Sequence, residues 1–295
     1  MIPLRSRSLL LAACSLLPIA AQADDTLDRI RSRGVITIAH REASIPLSYV
    51  AEGKPVGYSI DICLKLAEAI AKQLALKSWR IDYKLVTSAT RFDVLERGEA
   101  DVECGSTTNT AARRERVAFT IPHFIASSRL MVRSTEPAER IEELDHRTIA
   151  STTGTTNIQS LAQEAQLKGL SLNIVPSRDH AEGMAWVLAG KVDAFAMDDV
   201  LLFGLRATAP RPEALKIIGK PITIEPYAIA FARNNPELKR IADAELRRLI
   251  ASHELHQLYA KWFTQPIPPK GINLEMRMPH LLLDSLKYPS DYVPN

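Results

Sequence analysis

Cysteine is scarce in this chain: three residues in 295, too few for a disulfide-built scaffold. Charge of one sign is scarce too. The 37 Lys and Arg side chains are nearly balanced by 34 Asp and Glu, for a net charge of +3. Nucleic-acid binding usually needs a basic face, and this balance argues against one. Low-complexity tracts are absent. With 46% of residues apolar and 24% charged, a disordered or collagen-like chain is excluded. Beyond residue 23 no apolar run approaches the length of a membrane span. Catalytic signatures are equally thin. There is no G-x-S-x-G, no C-x-x-C, no Walker A and no G-x-G-x-x-G string. His253-Glu254-Leu255-His256 misses the H-E-x-x-H spacing, and its histidines fit a helix surface better than a metal site.

The N-terminus holds the best apolar stretch. Arg5 and Arg7 precede Leu9 to Ala21, and Ala21-Gln22-Ala23 is a small-x-small cleavage site. That order reads as a secretory signal peptide over residues 1–23. Leu11-Ala12-Ala13-Cys14 fits a lipoprotein box, but the apolar stretch before Cys14 is very short, so anchoring there is the lesser alternative. Cleavage removes two arginines and leaves 35 basic against 34 acidic side chains, in a chain bound for an oxidising compartment. That compartment permits a Cys63–Cys104 bridge, but spacing cannot show one, and buried free thiols are common. Residue pattern leaves the pairing open, free thiols being the readier reading, with Cys63 on the core stripe Ile60, Cys63, Leu64, Ala67 and Leu74.

The length allows about two domains. Strands are expected at 35–38, 81–85 and 100–104, and helices at 60–74 and 91–97, the second stopped by Gly98. The order β-α-β-α-β indicates an α/β unit with a largely parallel sheet. The pattern recurs, with strands at 148–151, 172–175 and 192–197 and helices at 157–167 and 180–189. Asp179-His180-Ala181-Glu182 reads as a capping box opening the last helix. Gly98-Glu99-Ala100-Asp101-Val102 and Gly190-Lys191-Val192-Asp193-Ala194 each join a helix to a strand, which suggests two α/β lobes of similar plan. The apolar runs 128–132 and 228–232 are candidates for crossovers between them. Residues 241–263 read as one helix, and the Pro-punctuated tail as a surface wrap.

Ligands of open α/β sheets bind beyond the carboxyl ends of strands. Those places hold Ser106, Thr107 and Thr108; four threonines around Gly154, leading into a helix; and Asp198 with Asp199. Arg41, Arg91 and Arg113 fall at or just after such loops. Helix N-termini and guanidinium forks suit carboxylates, and an aspartate suits an ammonium. Singly, each residue is more simply a cap, a solvated side chain or a turn residue. Together they describe a cleft for a small zwitterion with extra negative charge.

Several stretches carry a resemblance: His40-Arg41-Glu42, Val56-Gly57-Tyr58-Ser59, Glu103-Cys104-Gly105-Ser106-Thr107-Thr108-Asn109, Gly154-Thr155-Thr156, Asp179-His180, Met197-Asp198-Asp199, Lys261-Trp262-Phe263 and Pro266-Ile267-Pro268-Pro269-Lys270. The mature chain resembles the family 3 periplasmic solute-binding proteins of amino-acid ABC transporters, of the glutamate/aspartate-binding type. The resemblance implies a two-lobed α/β fold, the periplasmic binding protein type II fold, with two crossover strands as hinge. Lobe 1 would be 24–127 plus 228–295 and lobe 2 would be 128–227. It implies a periplasmic monomer that takes L-glutamate or L-aspartate to an inner-membrane permease, with no cofactor, metal or catalysis.

By position in the family pattern, Arg113, Thr155 and Thr152 would hold the ligand α-carboxylate. Asp198, Ser106 and Thr108 would take the ammonium. Arg41, Ser88, Arg91 and His180 would hold the side-chain carboxylate. Three arginines against one aspartate leave two surplus positive charges, which favours an acidic amino acid. The chain departs from the pattern in the apolar start of its first helix (Ile60, Ile62, Cys63) and in Tyr227-Ala228-Ile229, where the subgroup often has a second cysteine. Two rival readings use the same fold: a secreted dehydratase with Glu103 or Glu225 as acid–base, and a ligand-binding partner of a sensor.

Overall fold

A computed structural model of the protein describes residues 26–292; the signal-peptide and Cys14 readings lie outside them. Two five-stranded sheets organise the chain. The first runs, edge to edge, Arg80–Leu85, Val35–His40, Val102–Glu103, Ala230–Ala232 and Val117–Phe119. The second runs Asn173–Ser177, Thr148–Thr152, Ala194–Asp198, Ser128–Arg133 and Leu215–Ile218. In each, three parallel strands are followed by two antiparallel neighbours. The similar plan expected of the two lobes is therefore visible in strand order and direction.

The chain passes between the sheets twice, through an antiparallel ribbon of Phe124–Ala126 and Glu225–Tyr227. The runs expected to cross, at 128–132 and 228–232, instead lie mainly within the sheets as Ser128–Arg133 and Ala230–Ala232. Their apolar density has a plain cause: Leu130, Met131, Val132, Ala230 and Phe231 are buried, as strands covered on both faces must be. The crossing is made by the few residues just before each run. Phe124 stacks on Phe263 at 5.2 Å and on Tyr227 at 5.8 Å, which fixes one ribbon strand to the first lobe.

The helices follow their apolar stripes. Tyr58–Gln73 buries Ile62, Cys63, Leu66, Ala67 and Ile70 at the three- and four-residue spacing that faces one side of a helix. Gly57 precedes it at φ 137, and a Cβ there would lie 2.3 Å from the Leu47 carbonyl oxygen, so the position requires glycine. Arg91–Glu96 is followed by Gly98 at φ 64, and Asn157–Lys168 by Gly169 at φ 66. At His180–Leu188, Asp179 accepts from the Glu182 N–H at 2.9 Å, while Glu182 reaches back to the Arg178 N–H at 2.7 Å. The helix expected at 241–263 is two, Pro236–Ala251 and Glu254–Phe263, broken where His253 turns to φ 61. The break lets Tyr259 and Phe263 join the aromatic cluster around Tyr58. The tail includes a helix, His280–Lys287, that buries Leu282 and Leu286.

Cys63 and Cys104 are bridged, with Cα atoms 6.3 Å apart. The pairing that the sequence left open, with free thiols the readier reading, is thus a disulfide. The helix Tyr58–Gln73 lies over the first sheet and brings Cys63 onto the end of Val102–Glu103, a juxtaposition that a 41-residue separation does not reveal.

Candidate functional site

The carboxyl ends of the two sheets face each other. From the first come Arg41, Ser88, Arg91, Ser106, Thr108 and Arg113; from the second come Thr152, Thr155, His180 and Asp198. The first lobe thus supplies guanidinium groups and the second supplies acceptors. Ser88, Arg91, Ser106, Thr108, Arg113, Thr155, His180 and Asp198 surround one cavity of about 10 Å3, room for roughly one water, so the facing side chains nearly fill the cleft.

The arginines are anchored by neighbours from both lobes. Arg91, 2% exposed, donates to the Thr107 hydroxyl at 2.7 Å and across the cleft to the Gly154 carbonyl at 3.2 Å. Arg113 donates to the Thr108 carbonyl at 2.9 Å and to the same Gly154 carbonyl at 3.2 Å. Arg41 donates to Ser88 Oγ at 2.8 Å and approaches His180 Nε2 at 3.5 Å. Its Nε and Nη1 and the Nε of Arg91 are buried without protein partners. Burial, reinforced by the Arg91 charge, lowers Arg41 to about 10 and Arg113 to about 9. All three remain cations at neutral pH.

His180 is buried, and desolvation together with Arg41 and Arg91 holds it well below its ordinary value. It is therefore a neutral imidazole. Arg41 has only protons to offer, so Nε2 accepts and Nδ1–H donates to Thr152 Oγ1 at 2.9 Å. The Thr152 side chain thus stands behind His180, outside the cavity lining, and orients that ring. Arg41 also lies off the central cavity; it lines the adjoining groove between Glu42 and Asp179.

Asp198 ends its strand with Oδ1 accepting from Asn157 at 2.9 Å and Oδ2 accepting from the Tyr227 hydroxyl. Burial and the nearby Glu225 push it up to about 7. Asp199, the other acid at this strand end, is committed to backbone N–H groups of Ser127 and Val200. Thr155 closes a turn onto the Thr152 carbonyl at 2.7 Å, and Ser106 Oγ reaches Ser44 at 3.4 Å.

Residue-by-residue reasoning missed Thr156, Met197 and Leu201, which line the cavity. It also missed the charge balance. Glu103 and Glu225, which entered only as enzyme candidates, are 0% and 3% exposed and belong to the cluster. Glu225 accepts from Thr156 at 3.0 Å, and Glu103 accepts from Thr107 at 2.6 Å. The count of three arginines against one aspartate is corrected to three against three carboxyls. Glu103 left no signal separable from a central-strand residue, and Glu225 lies on the crossing ribbon, far from the other loops in sequence.

The lobes touch closely. A Cβ on Gly154 would lie 2.6 Å from the Ser88 carbonyl oxygen, and one on Gly204 only 2.2 Å from that of Ile45. Lys270 also donates across the gap to the Thr208 carbonyl at 2.9 Å. Among the described residues no group of His, Cys, Asp and Glu is arranged to hold a metal, and no helix is long and apolar enough to cross a membrane.

Two facing α/β lobes with a small, polar, arginine-rich cleft at their strand ends define a solute-binding protein of the periplasmic type II fold. Residues 36–265 match the bacterial extracellular solute-binding proteins, family 3, and the chain belongs to that family. It is 37% identical over 290 residues to an L-glutamate/L-aspartate-binding protein of Pseudomonas aeruginosa, covering 98% of this chain and 96% of that one. It is 33% identical over 300 residues to a glutamate/aspartate import solute-binding protein of Escherichia coli K12, covering 99% of each. Among solved structures, an ancestral arginine-binding protein bound to arginine superposes with a TM-score of 0.68 at 27% identity, over 78% of this chain and 99% of that one. These sequence relatives are solute-binding proteins of transport, not enzymes.

Proposed function

We propose that the protein captures L-glutamate or L-aspartate between its lobes and presents it to an inner-membrane ABC permease, as a periplasmic monomer. The lobes are 24–127 with 228–295, and 128–227, hinged at the ribbon. The observation that carries the ligand assignment is the facing of Arg91 and Arg113 on one lobe with Asp198 on the other around one small cavity, with Arg41 in the adjoining groove. Arg113 and Thr155 take the α-carboxylate. Asp198, Ser106 and Thr108 take the ammonium. Arg91, with Arg41, Ser88 and neutral His180, takes the distal carboxylate, and Thr152 holds the His180 ring.

The corrected charge balance supports the same ligand class. While Asp198 holds a proton, the formal charges of the three arginines exceed those of the remaining carboxylates by one, a surplus that attracts a ligand of net −1. Only the closed state makes contacts from both lobes, so a ligand that bridges them favours closure. Calorimetric titration of mature protein, stripped of ligand by unfolding and refolding, tests the reading against L-glutamate, L-aspartate, L-glutamine and L-arginine. One-to-one binding of the acidic pair alone is expected; no heat with either acid rejects the ligand assignment.

A further inference from the structure

The carboxylate of Glu103 has no assigned part in the cleft, yet it lies at its centre of positive charge. It is fully buried on the strand Val102–Glu103, between Val35–His40, which leads into Arg41, and the return strand Ala230–Ala232. Its Oε2 accepts from the Thr107 hydroxyl at 2.6 Å, and that hydroxyl accepts from Arg91 at 2.7 Å. Its Oε1 has no hydrogen-bond partner. Gly105 makes the space: a Cβ there would lie 2.2 Å from Oε1 and 3.0 Å from Cγ of Arg41. Glu103 therefore lies near Arg41, on which its charge acts, and is linked through one hydroxyl to Arg91, the two arginines assigned to the distal carboxylate.

We infer that Glu103 sets the charge discrimination of the cleft, acting through Arg41 and Arg91 without touching the ligand. Buried guanidinium groups without a counter-charge are costly, so a fixed carboxylate stabilises the ligand-free protein. The same carboxylate repels an incoming acid and leaves a neutral amino acid nearly unaffected. Glu103 thus lowers the affinity for acidic ligands in exchange for a stable open cleft. This rests on the acidic-ligand reading above. Titration of the unsubstituted protein tests that reading, and only the change of ratio on substitution tests the role of Glu103.

The experiment compares unsubstituted protein, Glu103→Gln and Glu103→Asp, by calorimetry with L-glutamate and L-glutamine and by ligand-free melting. In Glu103→Gln the ratio of glutamate to glutamine affinity rises on the order of tenfold, the effect of one unit charge about 12 Å away in an effective dielectric near 20. Its ligand-free melting temperature falls, and Glu103→Asp returns both quantities toward the original. If Glu103→Gln does not fold alone, L-glutamate restores folding and L-glutamine does not. Equal loss of both affinities with the ratio unchanged makes Glu103 a packing residue and overturns the inference. So does failure of either ligand to restore folding while Glu103→Asp folds.

Discussion

The two lobes share one strand plan and divide the chemistry unequally. The first carries Arg41, Arg91 and Arg113 and is stapled by Cys63–Cys104. The second meets those cations with the Gly154 carbonyl, His180, Thr155 and Asp198, and its sheet carries no cysteine. Cations on one lobe and acceptors on the other mean that neither lobe alone has a complete site. With the ligand placed as proposed, closure would depend on a solute that offers carboxylates to one side and an ammonium to the other.

Arg91→Ala removes the central cation of the first lobe and carries the largest expected effect. Removing a buried guanidinium from its carboxylate is expected to cost about 3–5 kcal/mol for L-glutamate, several-hundredfold or more in Kd, and less for L-glutamine. Titration with both ligands checks it, and equal losses would undo the distal-carboxylate assignment. Next comes the staple. Cys63→Ser with Cys104→Ser releases a loop of 41 residues, worth about 4 kcal/mol in the chain-entropy account, and should lower the ligand-free melting temperature. The second lobe's own local stability should stay unchanged, as read by hydrogen exchange on Thr148–Thr152.

Gly204→Ala probes the seam instead of the chemistry. The new methyl group meets the Ile45 carbonyl across the gap, and overpacking of this kind costs about 1–3 kcal/mol. Because the clash exists only when the lobes meet, the variant should weaken every ligand alike and reduce ligand-induced compaction in small-angle scattering. Loss of unfolding stability instead would place the strain within a lobe.

The pH dependence probes the acceptor side through Asp198. Asp198 in the folded, ligand-free protein is raised to about 7, above its unfolded value, so between about pH 4 and 7 the folded state holds a proton that the unfolded state has lost. Ligand-free stability should fall as pH rises through that window. A bound ammonium favours the ionised Asp198, so ligand uptake should release protons and strengthen up to about pH 7. Titration in buffers of differing ionisation enthalpy measures the release; heats independent of the buffer would contradict it.

Much of the fold was legible because its signals are local. The stripe around Cys63, the stop at Gly98 and the capping residue Asp179 each act within a few positions of the chain, and the structure has a helix at each. The break at His253 was not, because the apolar spacing of Pro236–Ala251 and Glu254–Phe263 stays nearly in phase across it. The site's cations and hydroxyls were legible as types at strand ends. Their partners were not, since Glu225, Tyr227 and Asn157 are brought to Asp198 and Thr156 from distant segments.

Two α/β units of like plan, the near balance of charge, and the residue types gathered at strand ends follow from the chain's local pattern alone. Periodicity, caps and residue type act over one or two turns, so they can be read without coordinates. The Cys63–Cys104 bridge, the neutral His180 held by Thr152, the balance of three arginines with three buried carboxyls, and the glycine seam at Gly204 arise from long-range packing. Each depends on which distant backbone comes within a few ångströms, and on how far burial shifts a charge once it is there.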